Sequence, residues 1–127
     1  MANLSILVVD DEAPLRRIVM QLLEEEGFAV RGAADGRQAI AELQRDPPDL
    51  VLLDRQLPRL GGGEVARFIH KQGLPCKIIV LTAAHAARSL AQQWGAAGYV
   101  AKPFALLRLL QVIEQAAPEE VPYERAA

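Results

Sequence analysis

Five side chains of this sequence could do chemistry together, and each stands just past an apolar run: the acidic pair Asp10-Asp11, then Asp54, Thr82 and Lys102. Three carboxylates crowded into one partly buried place repel one another, and without a partner they would hold protons that ionised acids give up. A divalent cation relieves that conflict. Magnesium asks for octahedral oxygen ligation, keeps several waters, and is commonly held by one or two carboxylates together with phosphate oxygens. Beside such an ion, the Lys102 ammonium is a point charge for a phosphoryl oxygen, and the Thr82 hydroxyl is a donor to another. A carboxylate can itself attack phosphorus, which makes an aspartyl phosphate an accessible covalent product.

Such a set needs a scaffold that ends its strands on one rim. Leu4-Ser5-Ile6-Leu7-Val8-Val9 is a continuous apolar run rich in β-branched residues, which predicts a strand buried on both faces. Leu50-Val51-Leu52-Leu53, Ile78-Ile79-Val80-Leu81, a shorter Tyr99-Val100-Ala101 and a weak Phe28-Ala29-Val30 repeat the signal. Between them, Leu15, Ile18, Val19, Leu22 and Leu23 fall at helical spacing, with Pro14 placed to open a helix and Gly27 to close it. Asp35 with Gln38 resembles a capping box ahead of Ala39, Ile40 and Leu43, and Pro47-Pro48 forbids continuation. Val65, Phe68 and Ile69 mark a third helix, and Ala87, Leu90, Ala91 and Trp94 a fourth ending at Gly95. Leu106, Leu109, Leu110 and Ile113 mark a fifth, from about Phe104 to Ala117, which Pro118 stops. Strands alternating with helices in this way predict an α/β fold, a parallel sheet with helices on both faces. In open sheets of that kind ligands bind beyond the carboxyl ends of the strands, where all of the polar residues named above would stand.

The 127 residues, 51% hydrophobic and 24% charged, suit one self-sufficient domain, and aromatics at 5% make its core aliphatic. A net charge of -2 with no basic cluster along the chain argues against a nucleic-acid binder. Cys76 is the lone cysteine, which excludes an intramolecular disulfide and a cysteine metal cage and suits a reducing compartment. The start lacks a basic segment, and its first apolar run stops at Asp10, far short of the roughly 20 residues that span a bilayer. The expectation is a cytoplasmic protein with no membrane segment. Nothing repeats and no linker divides the chain, so we expect one domain over residues 1–117, a short polar tail over 118–127, and no appended output domain.

Taken in order, Asp10-Asp11, Leu53-Asp54-Arg55-Gln56-Leu57-Pro58 with Gly62 beyond it, Leu81-Thr82-Ala83, Gly95-Ala96 before Gly98-Tyr99, and Lys102-Pro103-Phe104 resemble the receiver domain of two-component response regulators. The resemblance runs from about Leu4 to Ala117; each piece is weak alone and the ordered set is specific. It implies a flavodoxin-like (βα)5 fold with strand order 2-1-3-4-5. It also implies a switch that takes a phosphoryl group from a sensor histidine kinase or a phosphotransfer protein. On this resemblance Asp54 is the phosphoacceptor, while Asp10 and Asp11 bind Mg2+ together with the Asp54 carboxylate and the backbone carbonyl of Gln56. Lys102 would contact the phosphoryl group and precede a cis peptide bond to Pro103. Thr82 and Tyr99 would be the switch pair, the hydroxyl moving toward a phosphoryl oxygen as the ring turns inward. Output would pass to a downstream protein or domain through the face of the fourth helix, fifth strand and fifth helix. No enzymatic turnover, direct nucleic-acid binding or membrane contact is implied.

The sequence departs from the family in two places. The stretch from Thr82 to Gly95 is slightly short and rich in alanine, which implies a trimmed fourth helix or a trimmed loop before it. Gln56 and Ala84 stand two residues beyond the phosphoacceptor and the threonine, positions that in this family tune the access of water to the acyl phosphate. Gln56 also counts against an aspartate-nucleophile phosphatase, a class with a second acid at that place. A flavin or nucleotide carrier on the same fold would not want three carboxylates in its crevice, and a degenerate receiver kept only for docking would not need the full set. Gly61-Gly62-Gly63 lacks the sequel of a phosphate loop and reads as a flexible turn before the third helix. His70 and His85 have no third ligand for a metal, and Glu24-Glu25-Glu26 reads as a solvated helix end. Leu107 and Val112 fall off the stripe of the fifth helix and would leave apolar surface there.

Overall fold

The computed structural model describes residues 4–117, and within them strand and helix alternate without exception. The strands are β1 (Ser5–Val9), β2 (Ala29–Ala33), β3 (Leu50–Leu53), β4 (Lys77–Ala83) and β5 (Gly98–Lys102). The helices are α1 (Ala13–Glu25), α2 (Gly36–Arg45), α3 (Gly62–Lys71), α4 (Ala84–Gln93) and α5 (Leu106–Ala116). Every strand pair is parallel and the sheet order is β2-β1-β3-β4-β5, the flavodoxin-like arrangement. The winding reverses at β1, so the crevice of this sheet opens beyond the ends of β1 and β3.

Alternate residues of the central strands feed two cores. On one face Ile6, Val8, Leu50, Leu52, Ile79 and Leu81 meet Val19 and Leu23 of α1 and Leu109, Val112 and Ile113 of α5. On the other, Leu7, Val9, Val51, Leu53 and Ile78 meet Ala39 and Leu43 of α2 and Val65, Ala66 and Ile69 of α3. A smaller cluster of Val80, Leu90 and Ala91 seats α4. All four residues of β3 are 0% exposed, which is why that strand reads as an unbroken apolar run. Each such side chain contributes roughly 1.5–3 kcal/mol of gross burial energy.

Helix ends follow local chemistry. Gly27, at φ 98°, lets the chain leave α1 in the left-handed region, with Gly27 N donating to Glu24 O and Phe28 N to Leu23 O. Asp35 Oδ1 accepts from Gln38 N at 2.8 Å, while Gln38 Oε1 accepts from Ala34 N instead of the cap's own N–H.

Several expectations need correcting. The glycine run is not a free turn: Gly61 caps α3, and Gly62 and Gly63 are its first residues. Strand β2 runs on to Ala33, past Arg31 and Gly32, which hide it in the sequence. Helix α4 has ten residues and follows β4 with nothing between them. Val112 belongs to the core at 4% exposed, which leaves Leu107, at 67%, as the exposed leucine of α5, and Ile18 of the α1 stripe is 55% exposed. The expected tail over 118–127 lies outside the described residues. Among the described residues no helix is long and apolar enough to cross a membrane.

Charge is unevenly divided along the chain. Residues 4–54 carry eleven acids and five basic residues, whereas residues 55–117 carry eight Lys and Arg and two acids, Glu64 and Glu114. The first set builds β1, β2, β3 and their helices; the second builds the β4 and β5 side. A near-neutral sum conceals this because composition averages over both.

Candidate functional site

Register places Asp10 and Asp54 side by side. Val9 of β1 is paired with Leu53 of β3, and Asp54 N donates to Val9 O at 3.1 Å, so the residue after each strand falls on the same rim. Asp10 N donates in turn to Ala33 O at the end of β2. Asp10 is 0% exposed and Asp54 7%, while Asp11 faces solvent. One carboxylate oxygen from each of the three lies within 4.8 Å of the others.

Lys102, at the end of edge strand β5, reaches across to this cluster. Its Nζ donates to Asp10 Oδ2 at 2.7 Å, to Glu12 Oε1 at 3.1 Å and to Asp54 Oδ2 at 3.2 Å. The Lys102–Pro103 peptide is cis. The other carboxylate oxygens are held by backbone: Asp10 Oδ1 accepts from Glu12 N at 3.0 Å and Asp54 Oδ1 from Arg55 N at 2.7 Å. Arg16 Nη1 donates to Asp10 O at 2.6 Å and ties α1 to the rim.

Burial pushes the Asp54 carboxyl above the usual range; the Lys102 charge pulls it back and the Asp10 charge pushes it up again. For Lys102, burial opposes the charge, but the hydrogen bonds it donates to Asp10 and Glu12 and the charges of Asp54 and Asp10 outweigh it and raise its pKa. One ammonium among four carboxylates leaves the rim short of positive charge. The donor set is all oxygen, which suits a hard cation. Oxygens around an octahedral ion with bonds of about 2.1 Å lie roughly 3 to 4.2 Å apart, a spacing that fits the cluster.

Thr82 is 7% exposed near the end of β4, in register with Ala101, the neighbour of Lys102. Tyr99 is not part of the cluster: it is paired with Val80 and packs, half-buried, with Leu90 and Ala91 beneath α4. Gln56 is exposed in the loop after Asp54. Folding therefore gathers Asp10, Asp11, Asp54 and Lys102, sets Thr82 on the adjoining strand, and leaves Tyr99 one layer away.

One residue of the site, Glu12, escaped the sequence reading. Glu12 is the third carboxylate on Lys102, and its signal was there, since it continues the acidic run Asp10-Asp11. Gly62 N donates to Arg55 O at 3.0 Å, and a Cβ on Gly62 would stand 2.0 Å from Asp54 O and 2.9 Å from the Trp94 ring. Gly62 belongs to the ordered set that carries the family resemblance, and this close approach to Asp54 is why a glycine stands there.

Known proteins share these features. The family model of the response regulator receiver domain matches residues 6–114. The response regulator MprA of Mycolicibacterium vanbaalenii is 38% identical over 128 residues, covering 96% of this chain and 55% of that protein. The alkaline phosphatase synthesis transcriptional regulatory protein PhoP of Bacillus subtilis is 38% identical over 104 residues, covering 80% of this chain and 43% of that protein. The chain thus spans about half the length of the curated relatives it matches. Among solved structures, the receiver domain of NtrX from Brucella abortus superposes with a TM-score of 0.81 at 35% identity, covering 87% of this chain and 96% of that one. The chemotaxis protein CheY4 of Vibrio cholerae superposes at 0.82 and 29% identity, covering 91% and 99%. A match that runs through nearly all of the described residues, on the same strand order, settles the family: this chain belongs to the response regulator receiver domains of two-component signal transduction.

Proposed function

We propose that Asp54 is the phosphoacceptor and that its modification switches the surface of this domain. The observation that carries the reading is the placement of Lys102 Nζ, 3.2 Å from Asp54 Oδ2 and 2.7 Å from Asp10 Oδ2. An oxygen of the Asp54 carboxylate attacks the phosphorus of a phosphohistidine, the P–N bond breaks, and the departing imidazole takes a proton from solvent. Lys102 binds one phosphoryl oxygen as negative charge gathers there. Asp10, Asp11, Asp54 and the Gln56 carbonyl would hold magnesium, which when bound would supply positive charge to the phosphoryl oxygens. The Thr82 hydroxyl then donates to a phosphoryl oxygen, and Tyr99 follows it inward, altering the face made by α4, β5 and α5, to which a downstream protein or domain responds.

The phosphodonor is a sensor histidine kinase or a phosphotransfer protein, docked in an apolar groove that opens beside the rim. That groove lies between α1 and the start of α5 and is lined by Leu15, exposed Ile18, Phe104 and Leu106, with Glu12 and Lys102 at its end. The domain works in the cytoplasm, turns over no outside substrate, and touches neither membrane nor nucleic acid itself. The transcriptional role printed in the name of PhoP belongs to a chain about twice as long. The test is incubation with acetyl phosphate and Mg2+, read by intact-protein mass. One added phosphoryl group, absent from Asp54→Asn, is expected; an Asp54→Asn protein labelled as fast as the parent overturns the assignment.

A further inference from the structure

Apart from the rim, the described residue side chains converge most clearly in the cleft between α3 and α4. Helix α3 leans on α2, while α4 sits over β4 and β5. The gap between them is floored by Trp94, whose indole lies against Gly62 and Gly63 and whose carbonyl is hydrogen-bonded to the His70 ring. Arg55, Arg67, His70 and His85 line its sides. Strand β4 runs into α4 with no loop between them, and at this end of the cleft Arg55 follows Asp54 directly.

The cations here are unspent. Arg31, Arg45, Arg59 and Lys102 all form ion pairs, whereas Arg55 and Arg67, which line the cleft, form none among the described residues. The one acid that lines the cleft, Glu64, is turned to the backbone of Gly61, where Oε1 accepts from N at 3.3 Å. Unpaired guanidinium groups around an aromatic floor fit a ligand that brings carboxylates and one apolar side chain.

We propose that the α3–α4 cleft docks an acidic segment of a partner protein, its carboxylates on Arg55 and Arg67 and an apolar residue against Trp94. A peptide of modest charge is favoured over nucleic acid. A continuous run of phosphates would extend past Arg55 into the field of Asp10, Asp11 and Asp54, on a chain whose net charge is already -2.

The probe is the capped peptide Glu-Glu-Leu-Leu-Glu-Glu, titrated into the full chain and followed by the fluorescence of Trp94, its only tryptophan, and by backbone amide shifts. We expect saturable binding with shifts confined to Arg55, α3 and α4, no response to the Gln-Gln-Leu-Leu-Gln-Gln peptide, and weakening as salt rises. Arg55→Glu and Arg67→Glu, both on the surface and checked for folding by circular dichroism, should each weaken binding about tenfold. No saturation at millimolar peptide, shifts elsewhere, or unchanged affinity in both variants overturns the proposal. So does a DNA duplex that displaces the peptide at lower concentration, or sedimentation showing that the chain associates with itself through the same arginines.

Discussion

Asp54 is held where an ionised carboxylate is uncomfortable, and stability should register that. Burial places its folded pKa above the unfolded value, so the native state binds the proton more tightly, and the contribution of this group to stability falls as pH rises through that interval. Asp54→Asn removes the charge. In EDTA at pH 7.5 it should melt a few degrees above the parent, with about 1 kcal/mol corresponding to some 4 °C in a domain of this size, and the gain should vanish below the ordinary carboxylate range. A scan of melting temperature against pH for both proteins checks it. Lys102→Met predicts the opposite. It leaves the Asp10 side chain, 1% exposed, facing Asp54 with no cation between them, which costs on the order of 3 kcal/mol at neutral pH. Urea titration should show that loss, and added Mg2+ should recover part of it. These acids and the lysine were legible because each is the first charge after a buried strand; the reach of Glu12 to Lys102 was not, since it depends on where α1 begins.

At the scale of elements, α3 is aimed at the site by one glycine. Gly62→Ala would drive a methyl group into the Asp54 carbonyl, so α3 must shift, at roughly 1–3 kcal/mol, with slower phosphorylation by acetyl phosphate. Gly63→Ala meets Trp94 only at 3.5 Å, an ordinary contact, and should change neither. Denaturant midpoints and phosphorylation rates of the two variants decide the matter, and equal effects would remove the special role of Gly62. The start of α3 was illegible for the same reason: glycine is a poor helix former, and here the close approach to Asp54 overrides propensity. Strands β1, β3 and β4 were plain because burial on both faces writes a continuous apolar run. Strand β2 was not, because Arg31 spends its guanidinium on Glu42 and Gly32 leaves room for Met20, and neither looks like a strand residue in isolation. Ile18 carries a further expectation. Being exposed in the groove between α1 and α5, Ile18→Asp should slow phosphotransfer from a kinase at least about tenfold, by removing buried apolar area at the interface, and leave acetyl phosphate labelling unchanged.

Across the whole molecule, the three site aspartates come from the ends of two strands that only the β2-β1-β3 order makes neighbours, so their cluster does not exist in the unfolded chain. A cation bound there stabilises everything the fold holds together. At ten times its dissociation constant that linkage is worth about 1.4 kcal/mol, or some 5 °C here. Asp11 separates this effect from the electrostatics of the interior. Because its side chain is exposed, Asp11→Asn should leave the melting temperature in EDTA within about 0.5 kcal/mol of the parent while abolishing most of the rise with Mg2+. Thermal unfolding of both proteins, with and without Mg2+, is sufficient. A rise of equal size in Asp11→Asn would mean that the ion stabilises by screening the acidic half of the molecule, and that the cluster is not its site.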